Sequence, residues 1–442
     1  MLAAGAAGER AARPFAAVAP PGPLGEVFAG AAASIAHDWD DYLYMGHTGH
    51  SSVWTSRAFA AGDEDRALVA QVAANEVAGR LGAALLIGPH NGQFWSSIHC
   101  ASGAIAAGLG LGLDGERLAH GLAIALYQPP YGLWPGFMGP DSKLLTAAEP
   151  AVQGARAAML AAEGVHGPLG VVEERRGLLR HLSFAARPAM LGELGRVWLT
   201  DTLAFKPYPG CAYLQAAVDA ALRSGLAPSD VGEVTVEAGY LTVAMERLGR
   251  EGGLSPVGVN FSAARSVAVA LLAGRLTHEE LSPAWLEDHA AEVRELGSRV
   301  HVRHDWALTL ETARGVVEAG ASIRDVPARA WPRVLVRMRE LGMAEVAIPA
   351  RELAELARRR DLRRELRSLV AAGSGRGLAG LDTGRLRMTF PCRLRIRLRS
   401  GRLVELDGDE RGASARPVEE QRAVVEGRRR AAGLEAAAEP VG

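Results

Sequence analysis

The chain has 442 residues, 48% of them hydrophobic, with a formal net charge of -1 at pH 7. This length predicts two or three domains, and the near-neutral charge excludes a bulk attraction to nucleic acid or to an anionic membrane surface. We therefore expect no nucleic acid and no membrane as partners, and any anionic ligand must be held by local cations.

The N-terminal stretch is rich in alanine. Glu9, Arg10 and Arg13 interrupt it before an apolar signal core is complete, and no uncharged apolar run in the chain has the length and composition of a membrane span. The three cysteines lie far apart without a C-x-x-C pair, which supports neither a zinc ribbon nor a disulfide framework. We predict a cytoplasmic protein in a reducing compartment.

Residues 26–200 are predicted to be almost entirely helical. Gly/Pro clusters at 87–92 and 128–140 interrupt this region, and small residues such as those of ASGAIAAGLGLGL allow helix backbones to approach closely. The alanine-rich periodic segments are 57–83, 101–112, 116–127 and 146–163. This half of the chain is predicted to be a helix bundle.

The composition changes after Phe205, where β-branched and alternating runs indicate a second domain of mixed α and β structure. Helices are predicted between the strands, at 211–224 and 262–273. The predicted strands are 233–237, 299–303, 333–337 and the hairpin 393–406 with its turn at Ser400-Gly401.

Two more helices are predicted toward the C-terminus. Residues 341–372 form a strongly charged amphipathic helix, and acidic residues interleave its arginines, which favours a solvated face over an RNA-binding one. The last helix begins near residue 416 and is expected to return to the first domain. The predicted divisions are 1–201 (helical domain), 202–414 (α+β domain, with 341–372 as a possible insertion) and 415–442 (C-terminal helix).

Only two lysines, Lys143 and Lys206, occur among 49 basic residues. An exposed basic position accepts arginine as readily as lysine, but a confined site that needs a compact or titratable cation does not. Both lysines are therefore candidates for site chemistry. On the count alone, a coding bias that replaced most lysines explains the pattern equally well.

The densest polar segment is HDWDDYLYMGHTGHSSVW at 37–54, which brings Asp38, Asp40, Asp41, His47 and His50 together. Carboxylates beside imidazoles are suited to general acid/base catalysis, because the carboxylate fixes the imidazole tautomer. The same set could bind a divalent metal. A third possibility is structural, with aspartates capping helices and histidines filling polar niches.

His99 directly precedes a small-residue helix, whose N-terminus favours an anion, although such a histidine is more often a cap or core residue. Lys143 follows a Gly/Pro-rich loop, and Lys206 is stiffened by Pro207 and Pro209. No nucleotide-binding loop and no serine-hydrolase elbow is present in the sequence.

Seven segments in this order resemble the MmgE/PrpD family, which includes 2-methylcitrate dehydratase and cis-aconitate decarboxylase. They span most of residues 36–412 and are DWDDYLYMGHTGHS, AANEVAGRLG, IHCASGAIAAGLGLGLDGERLAHGLAIAL, DSKLL, FKPYPGC, NFSAARSVAVALLAGRLT and LRSGRLVELDGDERG. The resemblance implies a large all-helical domain with a smaller α+β lid inserted before the last helices. It also implies an active site between the two domains, no metal or organic cofactor, and a homodimer.

The resemblance also implies roles for individual residues. Asp38 and Asp41 match the family's acidic motif, and His50 is a better match than His47 for the histidine that follows it. His99 matches the second catalytic histidine. Lys143 and Lys206 match the family's two site lysines, which favours site chemistry over coding bias.

The chain departs from the family pattern in several places. Tyr42 stands where a threonine is common, and Arg265 stands where the decarboxylases carry a tyrosine. We expect Tyr42, His47 and Arg265 to contact substrate, Arg265 as an added cation for a carboxylate. The chain also begins close to the acidic motif, so the family's first helices are expected to be missing or replaced.

The resemblance implies a cofactor-independent lyase acting on a small di- or tricarboxylate, most simply a dehydratase of a 2-methylcitrate-like hydroxy acid. An epimerase or a decarboxylase of a related polycarboxylate would use the same groups. An inactive carboxylate-binding homologue is a further alternative, suggested by the change at Arg265. A pyridoxal-phosphate enzyme also needs a lysine, but the sequence has no supporting phosphate loop.

Overall fold

The computed structural model describes residues 1–44, 46–89, 96–249, 253–322, 324, 326–341, 348–373, 375–408 and 416–434. Within these ranges there are nineteen α-helices and six short strands, so the fold is mainly α with a smaller α+β part, as the sequence predicts. Parts of the predicted break at 87–92, of the insertion at 341–372, of the last family-like segment and of the C-terminal stretch lie outside the described residues. No helix in the described ranges has both the length and the apolar composition that a bilayer crossing needs.

The first part of the chain is a helix bundle built around one central helix. Its helices are α1 (Leu2–Ala16), α2 (Pro23–Ile35), α3 (Gly49–Phe59), α4 (Glu64–Leu85), α5 (Ser96–Gly110), α6 (Gly115–Tyr127), α7 (Leu145–Ala162) and α8 (Leu178–Leu182). Helix α5 packs against α3, α4, α6 and α7. Glycine makes the approach of α5 to α7 possible, because a Cβ atom on Gly154 would lie 2.0 Å from the carbonyl oxygen of Cys100.

The predicted helix at 57–83 is wrong in one respect, since the structure divides it into α3 and α4. Ala61 and Gly62 have φ of 51° and 85°, a left-handed conformation that ends a right-handed helix. Asp63 then caps α4 by accepting a hydrogen bond from the backbone N–H of Arg66. The helices predicted at 101–112, 116–127 and 146–163 are confirmed within a few residues.

The prediction that residues 26–200 are almost all helical is wrong beyond residue 163, where turns and short helices replace long ones. A buried ion pair between Glu76 and Arg80 of α4 binds this irregular chain. The Glu76 carboxylate accepts hydrogen bonds from the backbone N–H groups of Leu199 and Thr200, and Arg80 donates to the carbonyl of Val197. Side chains thus satisfy backbone groups that a helix would have satisfied internally.

The second part contains a four-stranded sheet in the order β4, β3, β5, β6, with β3 parallel to β4 and the other pairs antiparallel. The strands are β3 (Val231–Ala238), β4 (Val300–His304), β5 (Cys392–Leu398) and β6 (Leu403–Gly408). The hairpin predicted at 393–406 is confirmed as β5 and β6. One face of the sheet is buried against helices through Val234, Val236, Leu394 and Ile396, none of which is accessible to solvent.

Helices surround this sheet and extend beyond it. They are α9 (Gln215–Arg223), α10 (Tyr240–Gly249), α11 (Pro256–Asn260), α12 (Ala263–Ala273), α13 (Pro283–Asp288), α14 (Ala290–Ser298), α15 (Trp306–Val317), α16 (Trp331–Glu340), α17 (Ala350–Arg358), α18 (Arg360–Ala372) and α19 (Val418–Ala431). The helices predicted at 211–224 and 262–273 correspond to α9 and α12.

The strand predicted at 333–337 is wrong, because RVLVR lies inside α16. Pro332 occupies the first turn of that helix, a position that proline favours, and five alternating residues are too few to separate a strand from an amphipathic helix. The predicted helix at 341–372 is two helices in its described part. They meet at Arg359, whose extended backbone (φ -85°, ψ 102°) ends α17.

Two very short strands join the helical bundle to the beginning of the second part. Strand β1 (Asp41–Tyr42) pairs antiparallel with β2 (Ala204–Phe205), with Asp41 opposite Phe205. This pairing brings the acidic segment beside the loop that carries Lys206. Helix α19 contacts β2 and α1, so the end of the chain packs next to the same segment.

Candidate active site

Asp38 is the first residue that connects separate segments of the chain. Its backbone is left-handed (φ 52°), a conformation that aspartate tolerates better than most residues. One carboxylate oxygen accepts a 2.6 Å hydrogen bond from Lys143 Nζ, and the other accepts one of 3.3 Å from Asn260 Nδ2. Its backbone carbonyl accepts a 3.0 Å bond from Lys206 Nζ. A turn after α2 thus binds both lysines and α11.

Asp40 connects a lysine to two histidines. Its Oδ1 atom binds the ammonium of Lys206, and its Oδ2 atom lies 2.7 Å from His47 Nδ1 and 3.1 Å from His50 Nε2. Burial alone would raise the pKa of this carboxyl, but Lys206, His47 and His50 hold it well below its usual range. The group is therefore an ionised hydrogen-bond acceptor at neutral pH.

The two lysines are both buried but differ in electrostatics. Burial lowers the pKa of Lys143, and Asp38 offsets this only in part. Its ammonium lies 5.5 Å from the ring centre of Phe137 and 5.3 Å from that of Phe261, a cation–π arrangement. Burial also acts to lower the pKa of Lys206, but Asp40 and Asp38 outweigh it and raise that pKa above its ordinary value. Of the two lysines, Lys143 is the one whose proton is more easily removed.

His50 and His99 lie side by side, with ring centres 6.0 Å apart. His50 Nδ1 is 2.9 Å from Ser34 Oγ, which also lies within hydrogen-bonding distance of the carbonyl of Ala31. His99 Nδ1 is 3.0 Å from Ser51 Oγ, which has the same relation to the carbonyl of Thr48. Because each hydroxyl can rotate, each Nδ1 atom can hold or lose a proton and keep its hydrogen bond. This arrangement suits groups that exchange protons.

Three predicted residues lie at the edge of this cluster. The Tyr42 hydroxyl donates to the carbonyl of Met388, and His47 retains a side-chain exposure of 15%. Asp41 is buried and offers its backbone carbonyl to His47 Nδ1 at 2.8 Å. Its Oδ1 atom has no hydrogen-bond partner among the described residues. The structure therefore joins Asp40, rather than the Asp41 carboxylate, to the imidazoles.

Arg265 lies in a different environment. Its guanidinium donates to the carbonyls of Gly249 and Gly258 at 2.9 and 3.3 Å. It lines a cleft of about 480 Å³ together with Arg294 and His301, and none of the clustered aspartates, histidines or lysines lines that cleft. Through Gly258 it supports α11, the helix that carries Asn260. Direct contact of Arg265 with substrate stays a prediction.

Two residues of the cluster, Asn260 and Arg428, were not selected from the sequence, and a third, Asp40, was named there only as one of three neighbouring aspartates. Asp40 lies within the acidic segment, where the resemblance to the family favours Asp38 and Asp41 over it. Asn260 lies in the family-like segment NFSAARS, and its contact with Asp38 spans the two parts of the chain. Arg428 of α19 donates to the carbonyls of Asp40 and Trp39, and no motif marks it in the sequence.

The cluster is closed to solvent. The side chains of its central members have at most 1% exposure, and they are Asp38, Asp40, His50, His99, Lys143 and Lys206. A substrate must therefore displace part of the surrounding chain before it touches them. The described residues contain no group of three or more His, Cys, Asp or Glu arranged to hold a metal ion.

Comparison with known families gives this geometry a context. The MmgE/PrpD N-terminal domain matches residues 22–190, and the MmgE/PrpD C-terminal domain matches residues 208–325. The chain belongs to the MmgE/PrpD family. Members are typically hydro-lyases, so membership suggests a dehydratase-type lyase. No curated protein matches the chain. Most of the cluster falls within the first match, Asn260 falls within the second, and Lys206 lies between the two.

Proposed function

We propose that this protein is a cofactor-independent lyase that dehydrates a small di- or tricarboxylate, a 2-methylcitrate-like hydroxy acid. The observation that carries the proposal is the buried network in which Asp38 and Asp40 join Lys143 and Lys206 to His50, with His99 beside His50. Groups of these types, at these distances, suit removal of a proton from carbon next to a carboxylate.

The lysines supply the positive charge. Removing a proton next to a carboxylate shifts negative charge onto its oxygen atoms, and fixed cations in a water-excluded site stabilise that charge without reorganisation. Lys143 and Lys206 are held in place by Asp38 and Asp40. A substrate carboxylate that enters the cluster would share these ammonium groups with the aspartates.

The histidines supply the proton transfers. One imidazole accepts the proton from carbon, the electron pair forms a C=C bond, and the C–O bond to the hydroxyl breaks. The other imidazole protonates the departing hydroxyl, which leaves as water. Ring centres 6.0 Å apart allow the two imidazoles to reach groups on adjacent carbon atoms. Asp40 accepts a hydrogen bond from His50 Nε2 and so orients its imidazole.

The paired imidazoles also favour a second candidate, an epimerase. A proton removed by one imidazole and returned by the other on the opposite face inverts a carbon centre without loss of water. The two reactions differ in product, because dehydration creates an alkene and epimerisation only a stereoisomer. A decarboxylase would release carbon dioxide from the same class of substrate.

The test is proton NMR in heavy water with citrate, 2-methylcitrate, cis-aconitate, malate-type and amino-dicarboxylate substrates. We expect loss of an α-proton and formation of an alkene with one of them, and no reaction with the Lys206→Met and His99→Ala variants. An Arg430→Met variant serves as a control, because Arg430 is exposed. Full activity of both site variants on a substrate that the wild type converts would overturn the assignment.

We further propose that the enzyme is a cytoplasmic homodimer. Its three cysteines are all free and buried, which suits a reducing compartment. The dimer rests on the resemblance to the family. Light scattering coupled to size-exclusion chromatography would measure the mass, and a monomer at micromolar concentration would contradict the dimer.

A further inference from the structure

We propose that Arg428 is a positioning residue of the active site. This proposal rests on the function proposed above. Arg428 lies in the last turn of α19, outside both segments that match the family. It is inferred to hold the backbone of the acidic turn so that the Asp40 carboxylate stays in register with His50 and Lys206.

The contacts of Arg428 are made with backbone atoms of the acidic turn. Its two terminal nitrogens donate to the carbonyls of Asp40, at 3.2 Å, and of Trp39. Its guanidinium carbon lies 5.7 Å from the ring centre of Trp39, a cation–π contact that adds to these hydrogen bonds. The planar, fixed donors of a guanidinium suit two consecutive carbonyls better than the compact ammonium of a lysine does.

The same backbone carbonyl is held from a second direction. The carbonyl of Asp40 also accepts a 3.2 Å hydrogen bond from the backbone N–H of Lys206. Arg428 and the Lys206 segment therefore fix one peptide group between them. Fixing this peptide sets the direction in which the Asp40 side chain leaves the backbone, and the carboxylate then reaches Lys206 on one side and His50 on the other.

Burying the Arg428 guanidinium costs desolvation free energy, and no ion pair offsets that cost among the described residues. Arg428 is 3% exposed. Burial lowers its pKa to about 10, so the group remains a cation at neutral pH. Because Arg428 binds carbonyls and not a carboxylate, it does not compete with Lys206 or the imidazoles for the Asp40 carboxylate. It still places a positive charge beside Asp40 and Asp41.

The position of Asp40 can be read without substrate. In protein labelled with ¹⁵N-histidine, the Nε2–H that His50 directs at Asp40 should give a downfield proton resonance. Because His47 also contacts Asp40, the resonance is assigned by its loss in both His50→Gln and Asp40→Asn. We expect Arg428→Met to weaken or shift this resonance and Arg430→Met, on the same helix but exposed, to leave it unchanged. On a converted substrate, kcat of Arg428→Met should fall about 100-fold with little change in KM, since misplacement by about 1 Å has that cost.

Arg428→Lys keeps the charge but can bind the two carbonyls less well, so we expect an intermediate loss of the resonance and of kcat. A folded Arg428→Met protein with an unchanged resonance and unchanged kcat would overturn the proposal. If Arg428→Met does not fold, Arg428→Lys decides, and wild-type behaviour or unfolding of that variant would likewise overturn it. A wild-type protein that converts no polycarboxylate would contradict the proposed function, while the resonance would still test Arg428.

Discussion

Asp40 Oδ2 lies 3.1 Å from His50 Nε2, and the other oxygen of the same carboxylate binds Lys206. One carboxylate therefore controls both a candidate proton-transfer group and a candidate carboxylate-binding cation. Because Lys206 and the histidines hold the pKa of Asp40 well below its usual range, this link persists throughout the neutral pH range.

Asp40→Asn should reduce kcat by about 10²- to 10⁴-fold, the range expected when a proton-transfer group is lost or misoriented. An asparagine amide cannot accept on both sides, so either Lys206 or the imidazoles lose their partner. Steady-state kinetics on the converted substrate would measure the effect.

Asp41→Asn is the matched comparison, because the Asp41 Oδ1 atom has no hydrogen-bond partner among the described residues. We expect a smaller loss of kcat from it than from Asp40→Asn. The reverse order would show that Asp41, as the family motif implies, is the more important carboxylate.

The contributions of Lys143 and Asp38 to the free energy of unfolding should be strongly coupled. Breaking a buried ion pair by removing one partner costs about 3 to 5 kcal/mol, because the other charge is left buried and unpaired. Lys143→Met and Asp38→Asn should each destabilise the protein by roughly that amount, and the double variant by less than their sum. Urea unfolding of the three variants would measure the coupling. Additive free energies would contradict it, and recovered activity in the double variant would exclude Lys143 from the chemistry.

Substrate binding should take up protons. Three buried carboxylates, Asp38, Asp40 and Asp41, are formally balanced by the cations Lys143, Lys206 and Arg428. A polycarboxylate adds negative charge that a buried site tolerates poorly, so we expect about one proton to be bound together with it. Calorimetric titrations in buffers of different ionisation enthalpy measure this uptake. Binding enthalpies that do not depend on the buffer would contradict the prediction.

The helical bundle could be predicted from local patterns in the sequence, and most residues of the candidate site from their types and from the resemblance to the family. Alanine periodicity marks the helices of the bundle, and the scarcity of lysine marks Lys143 and Lys206. The wrong predictions of secondary structure lie where tertiary contacts or single turns decide the local conformation. RVLVR at 333–337 alternates like a strand but follows Pro332 into α16, and a left-handed turn at Ala61-Gly62 divides one periodic segment into two helices.

The sequence alone could not show which of the three aspartates contacts the histidines. In DWDD, Asp41 is the aspartate nearest to His47 and His50 in sequence, and only the path of the backbone from Asp38, with its left-handed φ of 52°, directs Asp40 at His50. Arg428 lies 388 residues from Asp40, and a contact over that separation leaves no local pattern. Asn260 could have been found from its family-like segment, but its partner Asp38 could not.

His37 should make the protein less stable at mildly acidic pH. Burial, together with the neighbouring His278, lowers its pKa from 6.5 to about 4. Below pH 6.5 the unfolded chain binds a proton that the folded chain rejects, so stability is full above pH 6.5 and falls as the pH drops toward 4, by about 3 kcal/mol in all. Urea unfolding across this range should show the slope in the wild type, a smaller slope in His37→Gln, and no change in the exposed control His181→Gln. An unchanged slope in His37→Gln would contradict the assignment.

Gly154→Ala should disturb the candidate active site by changing how the helices of the bundle pack. The added Cβ would lie 2.0 Å from the carbonyl oxygen of Cys100, the residue after His99, so α7 must push α5 away. Overpacking of this kind costs about 1 to 3 kcal/mol, and the shift of α5 should also lower kcat. Gly115→Ala at the start of α6 is the control, because nothing lies within 4 Å of its Cβ and alanine is the better helix former. The midpoint temperature of thermal unfolding and kcat should both fall in Gly154→Ala, and neither should fall in Gly115→Ala. If Gly154→Ala lost stability but kept full kcat, the position of His99 would not depend on the contact between α5 and α7.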